Sequence, residues 1–470
     1  MEITNNPKLL IYLVLYSVVM VAMGIRYSKK ITNSEDFILA GKGLGPFILM
    51  GTLIATWCGS GTVTGGPNSL SYSYGLIPGL MFAIPSIIGI VIIYKIAPKV
   101  RARGKYTVSE ILEEKYGPFA RGLASIIIIL AFIGIVSYQY KGFGFILNVT
   151  TGISVELGTI IGAVLIIFLA SIGGLMSVAP TDALSSFLML IGLELVVPAI
   201  IAFGGGWEHI SASVPAENNT VTGSLSFLQL IGFYLPLLVL LLSDQNMYQR
   251  LASSKEDKSA KIGMIGWFIG VLIIMPSVAV IAYVAKSIFP DIAPGMALIS
   301  TTVVLPNVIG GILLASAFII TTGNSYLLSA ATNVTYDVYG KFINPNATDR
   351  EKLMFIKTFV VLLGVIAFVM IRFFPSILSL QMYAYTVYGA SLCPAVLAVF
   401  FWENVTKQGG ILSMLTGVAT TLIWEIPMAR PYNLNSVIVS LPLAVIVLII
   451  VSLVTKDSNI IKMKNESACK

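Results

Sequence analysis

Long runs of apolar residues are the feature that most limits what this chain can fold into. Thirteen such runs are centred near residues 17, 57, 86, 136, 167, 193, 236, 274, 318, 362, 390, 418 and 445. A helix of roughly 20 residues crosses the hydrocarbon core of a bilayer, which is about 30 Å thick. Charged residues make up only 11% of the sequence, about half the share of soluble proteins. The runs predict an all-α polytopic membrane protein with 13 transmembrane helices.

Lysine and arginine residues test this count, because they collect in the cytoplasmic loops of membrane proteins. With the N-terminus outside, the loops assigned to the cytoplasm hold 24 of the 29 positive residues. This pattern predicts a multi-pass protein of the cell (inner) membrane with an outer N-terminus and a cytoplasmic C-terminus. The net charge of +7 is then a sign of topology, and we expect no nucleic acid as a partner.

Few side chains are of the kinds that enzymes use. The 3 cysteines are scattered, and the sole histidine, His209, falls in a predicted outer loop, so no metal-ligand set is apparent. No polar stretch is long enough to bury a soluble core, and no glycine-rich phosphate loop occurs. We therefore expect no enzyme activity and no obligatory protein partner, and any work the protein does must draw on a gradient.

The second span contains residues that interrupt helices. Residues 55–67 read Ala-Thr-Trp-Cys-Gly-Ser-Gly-Thr-Val-Thr-Gly-Gly-Pro, which predicts an unwound segment. Backbone carbonyls freed at mid-membrane must line a cavity or coordinate an ion, because lipid cannot bond them. The alternative is a glycine-rich face for close helix packing. Pro67 and the pair Gly65 and Gly66 argue against that alternative.

The ninth span carries two adjacent hydroxyls, those of Thr321 and Thr322. They follow Phe318 by three and four residues, which places them on the side of its carbonyl within one helical turn. Threonine in an apolar helix often bonds only its own carbonyl four residues back. Together with the broken span, the pair favours a site for a hard monovalent cation.

Three ordered motifs resemble the sodium/solute symporter family, with the closest resemblance to its choline- and proline-type members. Residues 37–42 (Phe-Ile-Leu-Ala-Gly-Lys) resemble its opening motif. Residues 173–182 (Gly-Gly-Leu-Met-Ser-Val-Ala-Pro-Thr-Asp) are similar to its Gly-Gly-Leu-x-x-Val-x-x-Thr-Asp signature, and residues 248–250 (Tyr-Gln-Arg) match the segment after its seventh span. The resemblance implies a leucine-transporter-like fold of inverted five-helix repeats with a broken second helix.

The resemblance also implies a division of the chain. Residues 1–35 are expected to form an N-terminal flanking helix, and residues 36–405 the inverted-repeat core, with repeats at 36–205 and 224–405. Residues 406–455 are expected to form two C-terminal flanking helices, and residues 456–470 a cytoplasmic tail.

Site residues follow from the same resemblance, with Na⁺ as the coupling ion. The implied sodium ligands are the carbonyls of Ala55, Cys58 and Phe318 and the hydroxyls of Thr321 and Thr322. Asp182 resembles a residue near the family's cytoplasmic ion exit. The alternative for Asp182 is a charge at a helix amino terminus.

Polar residues near the broken span are candidates for binding the solute. Asp244 follows a run of leucines, where a buried carboxylate needs a partner such as an amine. The alternative is that Asp244 caps a helix near the cytoplasmic face. Trp57 favours an amine because its ring attracts cations. The other candidates are Thr62, Tyr138, Gln139, Gln245 and Thr386.

These residues predict a sodium-coupled symporter that works by alternating access within the lipid bilayer. Its solute is expected to be small, polar and amine-bearing: an organic cation, a polyamine or an amino acid such as proline. One rival is a proton-coupled or uncoupled carrier of the same fold, with Asp244, Glu194 and Asp182 as candidate protonation sites. The other rival is a transporter-like sensor, which the absence of a signalling domain disfavours.

Overall fold

The computed structural model describes residues 3–317, 320–374 and 376–468, and side chains for the same residues except 320, 321 and 457–468. Phe318 and the side chain of Thr321 therefore lie outside the described residues. Within that part of the chain the fold consists of helices, joined by turns and by one isolated β-bridge between Leu44 and Ser254.

The helices of the first half are α1 (Leu10–Ser28), α2 (Ser34–Leu39), α3 (Pro46–Trp57), α4 (Gly66–Tyr74), α5 (Leu76–Met81), α6 (Ala83–Arg103), α7 (Val108–Tyr116), α8 (Pro118–Thr151), α9 (Val155–Phe203) and α10 (Trp207–Ser213). Those of the second half are α11 (Phe227–Ser243), α12 (Gln245–Ala252), α13 (Asp257–Ile288), α14 (Ala297–Ser300), α15 (Asn307–Ala317), α16 (Ile320–Thr332), α17 (Asp349–Met370), α18 (Ile377–Phe401), α19 (Lys407–Glu425) and α20 (Val437–Ala468). Two π-helical segments cover Gly61–Gly65 and Asn333–Ile343.

Ten helices of the described residues are long and apolar enough to cross a membrane, and the bent pair Pro46–Trp57 with Gly61–Tyr74 is an eleventh candidate. Helix α9 has 49 residues, which is about 74 Å of helix, and it covers the predicted spans near residues 167 and 193. The predicted span near residue 418 coincides with α19, which is not among the ten. The multi-pass helical fold is confirmed, whereas the count of 13 and the domain boundaries stay predictions.

Gly174 is the turning point of α9. Its backbone has φ 47° and ψ −163°, a conformation that residues other than glycine avoid. A Cβ at this position would lie 2.3 Å from the carbonyl oxygen of Phe37, so the contact with α2 also requires glycine. The turn separates two stretches of α9 and sets the direction of the stretch that carries Asp182.

The segments α3–α4 and α11–α12 run in opposite directions through the fold. Leu44, just before α3, bonds through its backbone to Ser253, just after α12, with an N···O distance of 3.0 Å. At the other end, the hydroxyl of Tyr234 in α11 donates to the carbonyl of Pro78 after α4, at 2.9 Å. The start of one segment therefore meets the end of the other, as inverted repeats require.

Helix α3 lies at the centre of the bundle. It packs against α9 and α13, while α16 packs against α8 and α9, and α18 packs against α8 and α11. Residues 51–72 are all buried. Large apolar side chains such as those of Ile11, Ile126 and Val365 are instead exposed on outer helices. The arrangement places the predicted broken span in the protein interior, away from lipid.

Candidate functional site

The central helix is broken where its sequence predicts. Helix α3 ends at Trp57, and the chain resumes as the π-helical segment Gly61–Gly65 and then as α4, with a bend of 45° between the two parts. Cys58 lies at the start of the break with φ −94° and ψ 60°, outside the helical region. The predicted interruption of the second span is confirmed. Its backbone groups must find partners within the protein, because this segment is buried.

Two of the predicted ion ligands meet at this break. The hydroxyl of Thr322 in α16 donates to the carbonyl oxygen of Ala55 in α3, at 2.6 Å. Gly59 permits the approach, since a Cβ there would lie 2.3 Å from the Thr322 hydroxyl oxygen. A hydroxyl can rotate its hydrogen away, so both oxygens can face one cation. Cys58 lies in the break itself, and the contributions of Phe318 and Thr321 stay predictions.

Two glutamines bond to the interrupted backbone. The side-chain oxygen of Gln139 in α8 accepts from the backbone N–H of Ser60, at 3.0 Å. The Gln381 amide in α18 accepts from the N–H of Gly66 at 2.9 Å and donates to the carbonyl of Gly61 at 3.1 Å. The broken segment is thus fixed from two sides. Gln139 was predicted as a site residue, whereas Gln381 was missed.

Replacing Gln381 with leucine is expected to destabilise the protein by about 1–3 kcal/mol for each backbone group left without a partner. The affected groups are the Gly66 N–H and the Gly61 carbonyl. Denaturant unfolding in mixed micelles measures the change. Gln408→Leu is the matched control, because Gln408 is an exposed glutamine of α19. Equal stability of the two variants would contradict a role for Gln381 in holding the break.

The predicted solute residues divide into two groups. Tyr138 lies beside the break with Gln139, and its hydroxyl is 3.3 Å from that of Tyr385 in α18. Thr62 belongs to the π-helical segment of the break. Trp57 points away from the break: its indole N–H donates to the Ser86 hydroxyl at 2.9 Å, and its ring meets the edge of Trp267.

Thr386 also lies apart from the break. Its hydroxyl donates to the carbonyl of Met382 at 2.8 Å and contacts the side-chain oxygen of Asn435 at 3.0 Å. The side chain is directed toward the segment that precedes the last helix. We therefore leave Thr386 out of the site at the break.

A second interruption occurs at Asp244, between α11 and α12. The Asp244 carboxylate accepts from the backbone N–H of Asn246 at 2.7 Å and of Met247 at 3.3 Å, so it caps α12. Its other oxygen accepts from the hydroxyl of Tyr326, at 2.8 Å. The hydroxyl of Tyr388 bonds both the carbonyl of Ser243 and the N–H of Gln245, at 2.7 and 3.1 Å. Of the two sequence alternatives for Asp244, the helix cap describes the contacts seen.

Gln245 bonds residues away from the break in α3. Its side-chain oxygen accepts from the backbone N–H of Val108, at 3.2 Å, and its amide donates to the side chain of Asn333, at 2.6 Å. Asn333 in turn donates to Asp337, at 2.8 Å. Gln245 therefore connects the second interruption to α7 and to the π-helical segment near the predicted cytoplasmic face.

Asp337 belongs to a charged cluster around Arg121. The guanidinium donates to Asp337 and Glu113, both at 2.7 Å, and to Glu110 at 3.1 Å. Burial raises the pKa of Glu113, but the bonds from Lys341 and Arg121 outweigh burial and hold that pKa below its ordinary value. Glu113 is therefore ionised at neutral pH. The cluster ties α7, α8 and residues 333–343 together at the predicted cytoplasmic face.

One helical turn from the contact between Ala55 and Thr322, a buried ion pair joins α12 to α9. Arg250 in α12 donates to Asp182 in α9 at 3.2 Å, to the Thr52 hydroxyl in α3 at 2.9 Å and to the Ser325 hydroxyl in α16 at 2.6 Å. The Thr52 hydroxyl also donates to Asp182, at 2.5 Å. Asp182 was predicted as an ion-exit residue, whereas its partner Arg250 was not identified.

A family model described as the sodium:solute symporter family matches residues 37–417. Among curated proteins, the chain is 27% identical over 479 residues to the osmoregulated proline transporter OpuE of Bacillus subtilis (strain 168), covering 96% of this chain and 95% of that protein. It is 25% identical over 487 residues to a sodium/proline symporter of Staphylococcus aureus, covering 97% of this chain and 94% of that protein. These relatives are transporters rather than enzymes.

Two solved structures resemble the fold. One is a Na⁺-coupled sialic acid symporter in a substrate-bound outward-open state, with a TM-score of 0.80, 18% sequence identity, and coverage of 95% of this chain and 98% of that chain. The other is Mhp1, a nucleobase-cation-symport-1 family transporter in a closed conformation, with a TM-score of 0.58, 11% identity, and coverage of 89% and 95%. At these identities the likeness concerns the fold alone, and it confirms the fold that the sequence motifs implied.

Proposed function

Since the chain belongs to the sodium:solute symporter family, we propose that it imports a small amino acid together with sodium, and that proline is the first solute to test. The observation that carries the proposal is the contact between the Thr322 hydroxyl and the Ala55 carbonyl at a helix break. Carbonyl and hydroxyl oxygens suit a hard cation, and a broken helix supplies them inside the membrane. The proline relatives and the sodium-coupled structural neighbour support both parts of the proposal.

Asp244 and Trp57 are the two residues that could bind a cationic solute, and both already have partners within the protein. This favours an amino acid over an organic cation or a polyamine as the solute. The Asp244 carboxylate accepts three hydrogen bonds from its own surroundings, and the Trp57 ring packs against Trp267. By contrast, the amide nitrogen of Gln139 is buried and has no hydrogen-bond partner among the described residues. It is a donor beside the break, and a carboxylate is an acceptor that it could bind.

Coupled transport requires that sodium binding between α3 and α16 and solute binding beside Gln139 favour each other. Sodium between α3 and α16 stabilises the state in which the solute cavity beside Gln139 is formed, and solute binding then raises sodium affinity by the same factor. The ion pair of Arg250 and Asp182 lies between this site and the predicted cytoplasmic face. Inward release requires that barrier to open. We propose the orientation given by the charge pattern, with the N-terminus outside and the C-terminus in the cytoplasm.

The test is uptake of labelled L-proline by the full-length protein in liposomes. An inward sodium gradient should drive accumulation, an equal potassium gradient should not, and choline, putrescine or glucose in excess should not compete. Uptake that needs no sodium and follows a pH gradient would instead select proton coupling. Competition by choline or putrescine without competition by amino acids would reject the amino-acid assignment.

Replacing Asp244 with asparagine is expected to change the KM for proline by less than about threefold, because asparagine caps helices about as well as aspartate. The capping hydrogen bonds concerned are those that the backbone N–H groups of Asn246 and Met247 donate to the Asp244 side chain. Asp244→Leu removes the cap and should cost about 0.5–2 kcal/mol of stability. A loss of proline affinity of about tenfold or more in Asp244→Asn, at unchanged stability, would show instead that the carboxylate binds the solute amine.

A further inference from the structure

A separate cavity of about 180 Å³ opens on the predicted extracellular face. It lies between the end of α4, the first turns of α11 and α18, and the loop that joins α19 to α20. Its polar lining includes Gln229, Ser379, Arg430, Asn433 and Asn435. We call this space the outer cavity. It has room for a small solute, and nothing in the proposed sodium site occupies it.

Arg430 is held so that one edge of its guanidinium remains for a ligand. Its Nε donates to the Glu425 carboxylate at 2.6 Å, and that carboxylate is itself fixed by the backbone N–H of Ser436 at 3.1 Å and the Ser436 hydroxyl at 2.8 Å. The Glu425 side chain is only 6% exposed. Among the described residues the Arg430 side chain makes no other hydrogen bond, so its two terminal nitrogens are available. Such an edge matches the two oxygens of a carboxylate.

Asn435 supplies an independent sign of a ligand. Its side-chain oxygen accepts from the backbone N–H of Val437 at 2.9 Å, which fixes the orientation of the amide. The amide nitrogen is buried and has no partner among the described residues, although the residue lines the outer cavity. A buried donor left without an acceptor costs about 1–3 kcal/mol. An anionic oxygen in the cavity would remove that cost.

We propose that the outer cavity is a binding site for a small carboxylate, which the Arg430 guanidinium and the Asn435 amide hold before the solute reaches the broken helix. Among the described residues no carboxylate lines the outer cavity, and the Glu425 carboxylate that binds Arg430 is already engaged, so the charged group that the cavity offers is a donor and the ligand is an acceptor. The site uses neither Ala55 nor Thr322 and therefore binds without sodium. The proposal rests on the proposed function only for the statement that this carboxylate is also the transported solute.

The test measures protection of a cysteine placed in the cavity wall. Leu378 is partly buried, lines the cavity and is replaced by cysteine in a Cys469→Ser background, where Cys58 and Cys393 are buried. A membrane-impermeant maleimide then labels the full-length protein in sodium-free potassium buffer. L-proline and potassium acetate should each slow labelling at least about threefold, whereas prolinamide and potassium chloride at the same concentration should not.

Arginine variants decide whether the guanidinium is responsible. Arg430→Gln should abolish protection, and Arg430→Lys should retain part of it, since lysine keeps the charge but loses the two-pronged edge. Arg372→Gln is the matched control, because Arg372 is an exposed arginine predicted on the same face, paired with Glu156. Full protection in Arg430→Gln, or equal protection by potassium chloride and acetate, would overturn the proposal.

The same assay separates this proposal from the proposed function. If proline is not transported but acetate protects Leu378→Cys in an Arg430-dependent way, the outer site stands and the solute assignment fails. If sodium-driven proline uptake is observed but neither proline nor acetate protects the cysteine, the solute assignment stands and the outer site is rejected.

Discussion

Replacing Thr322 with valine is expected to remove sodium-dependent uptake at physiological sodium. Valine keeps the shape that packs against Gly59 but cannot offer an oxygen beside the Ala55 carbonyl. Hydrogen bonds and ligand contacts to charged groups contribute about 1.5–3 kcal/mol, so the sodium concentration for half-maximal uptake should rise about 10- to 100-fold. The measurement is initial uptake in liposomes as a function of external sodium.

Thr332→Val is the matched control for this variant. Thr332 is a buried threonine of the same helix, and the one bond of its hydroxyl within the described part of the chain goes to the carbonyl of Leu328, at 2.9 Å. Its replacement should leave the sodium dependence unchanged. If the Thr322→Val protein shows wild-type sodium dependence, the proposed ion site is rejected. The main support for sodium coupling through this break is then lost as well. Adding Thr321→Val to Thr322→Val tests the second predicted hydroxyl.

The break in α3 could be predicted from sequence because its cause is local. Four glycines, Pro67 and several hydroxyls in thirteen residues weaken helical bonding wherever the segment lies. The requirement that lipid-buried backbone groups find partners then implies a site. The pairing of Ala55 with Thr322 was implied by the resemblance to a family, since the two residues belong to distant parts of the chain.

The second interruption could not be predicted in this way. No glycine or proline lies at Asp244, and the preceding leucines continue a regular apolar run. The chain turns there because Tyr326 and Tyr388, from α16 and α18, bond the carboxylate and the flanking backbone. Those partners exist only after the helices pack. The sequence therefore identified Asp244 as an unusual residue without deciding between its two roles.

The sequence also did not determine which side of each buried helix faces the break. Thr386, Tyr385 and Gln381 all belong to α18, yet Gln381 and Tyr385 face the break and Thr386 faces Asn435. Because α18 is buried on nearly every side, its apolar pattern does not indicate which side faces the cavity. Gln381 could have been selected as an isolated amide in an apolar span, since such groups need buried partners.

The ion pair between Asp182 and Arg250 leads to the second large prediction. Both side chains are buried, with relative exposures of 0% and 1%, and they connect α9 to α12. Removing one member leaves the other charge in a buried site without its counter-charge, which costs about 3–5 kcal/mol. Asp182→Asn and Arg250→Met should each lower the free energy of unfolding by that amount and abolish uptake, as measured by denaturant unfolding in micelles and by liposome assay.

The double variant Asp182→Leu with Arg250→Met separates stability from transport. Apolar residues of similar size replace buried ion pairs at little cost, so the double variant should recover most of the lost stability. Removing the exposed pair of Arg372 and Glu156 is the control, and such a surface pair contributes at most about 1 kcal/mol. Single variants as stable as this control would contradict a structural role for the buried pair. A stable double variant that still accumulates proline when an inward sodium gradient is applied would show that other contacts close the predicted cytoplasmic side. If it is folded but inactive, transport requires the two charges themselves in addition to the packing of α9 against α12.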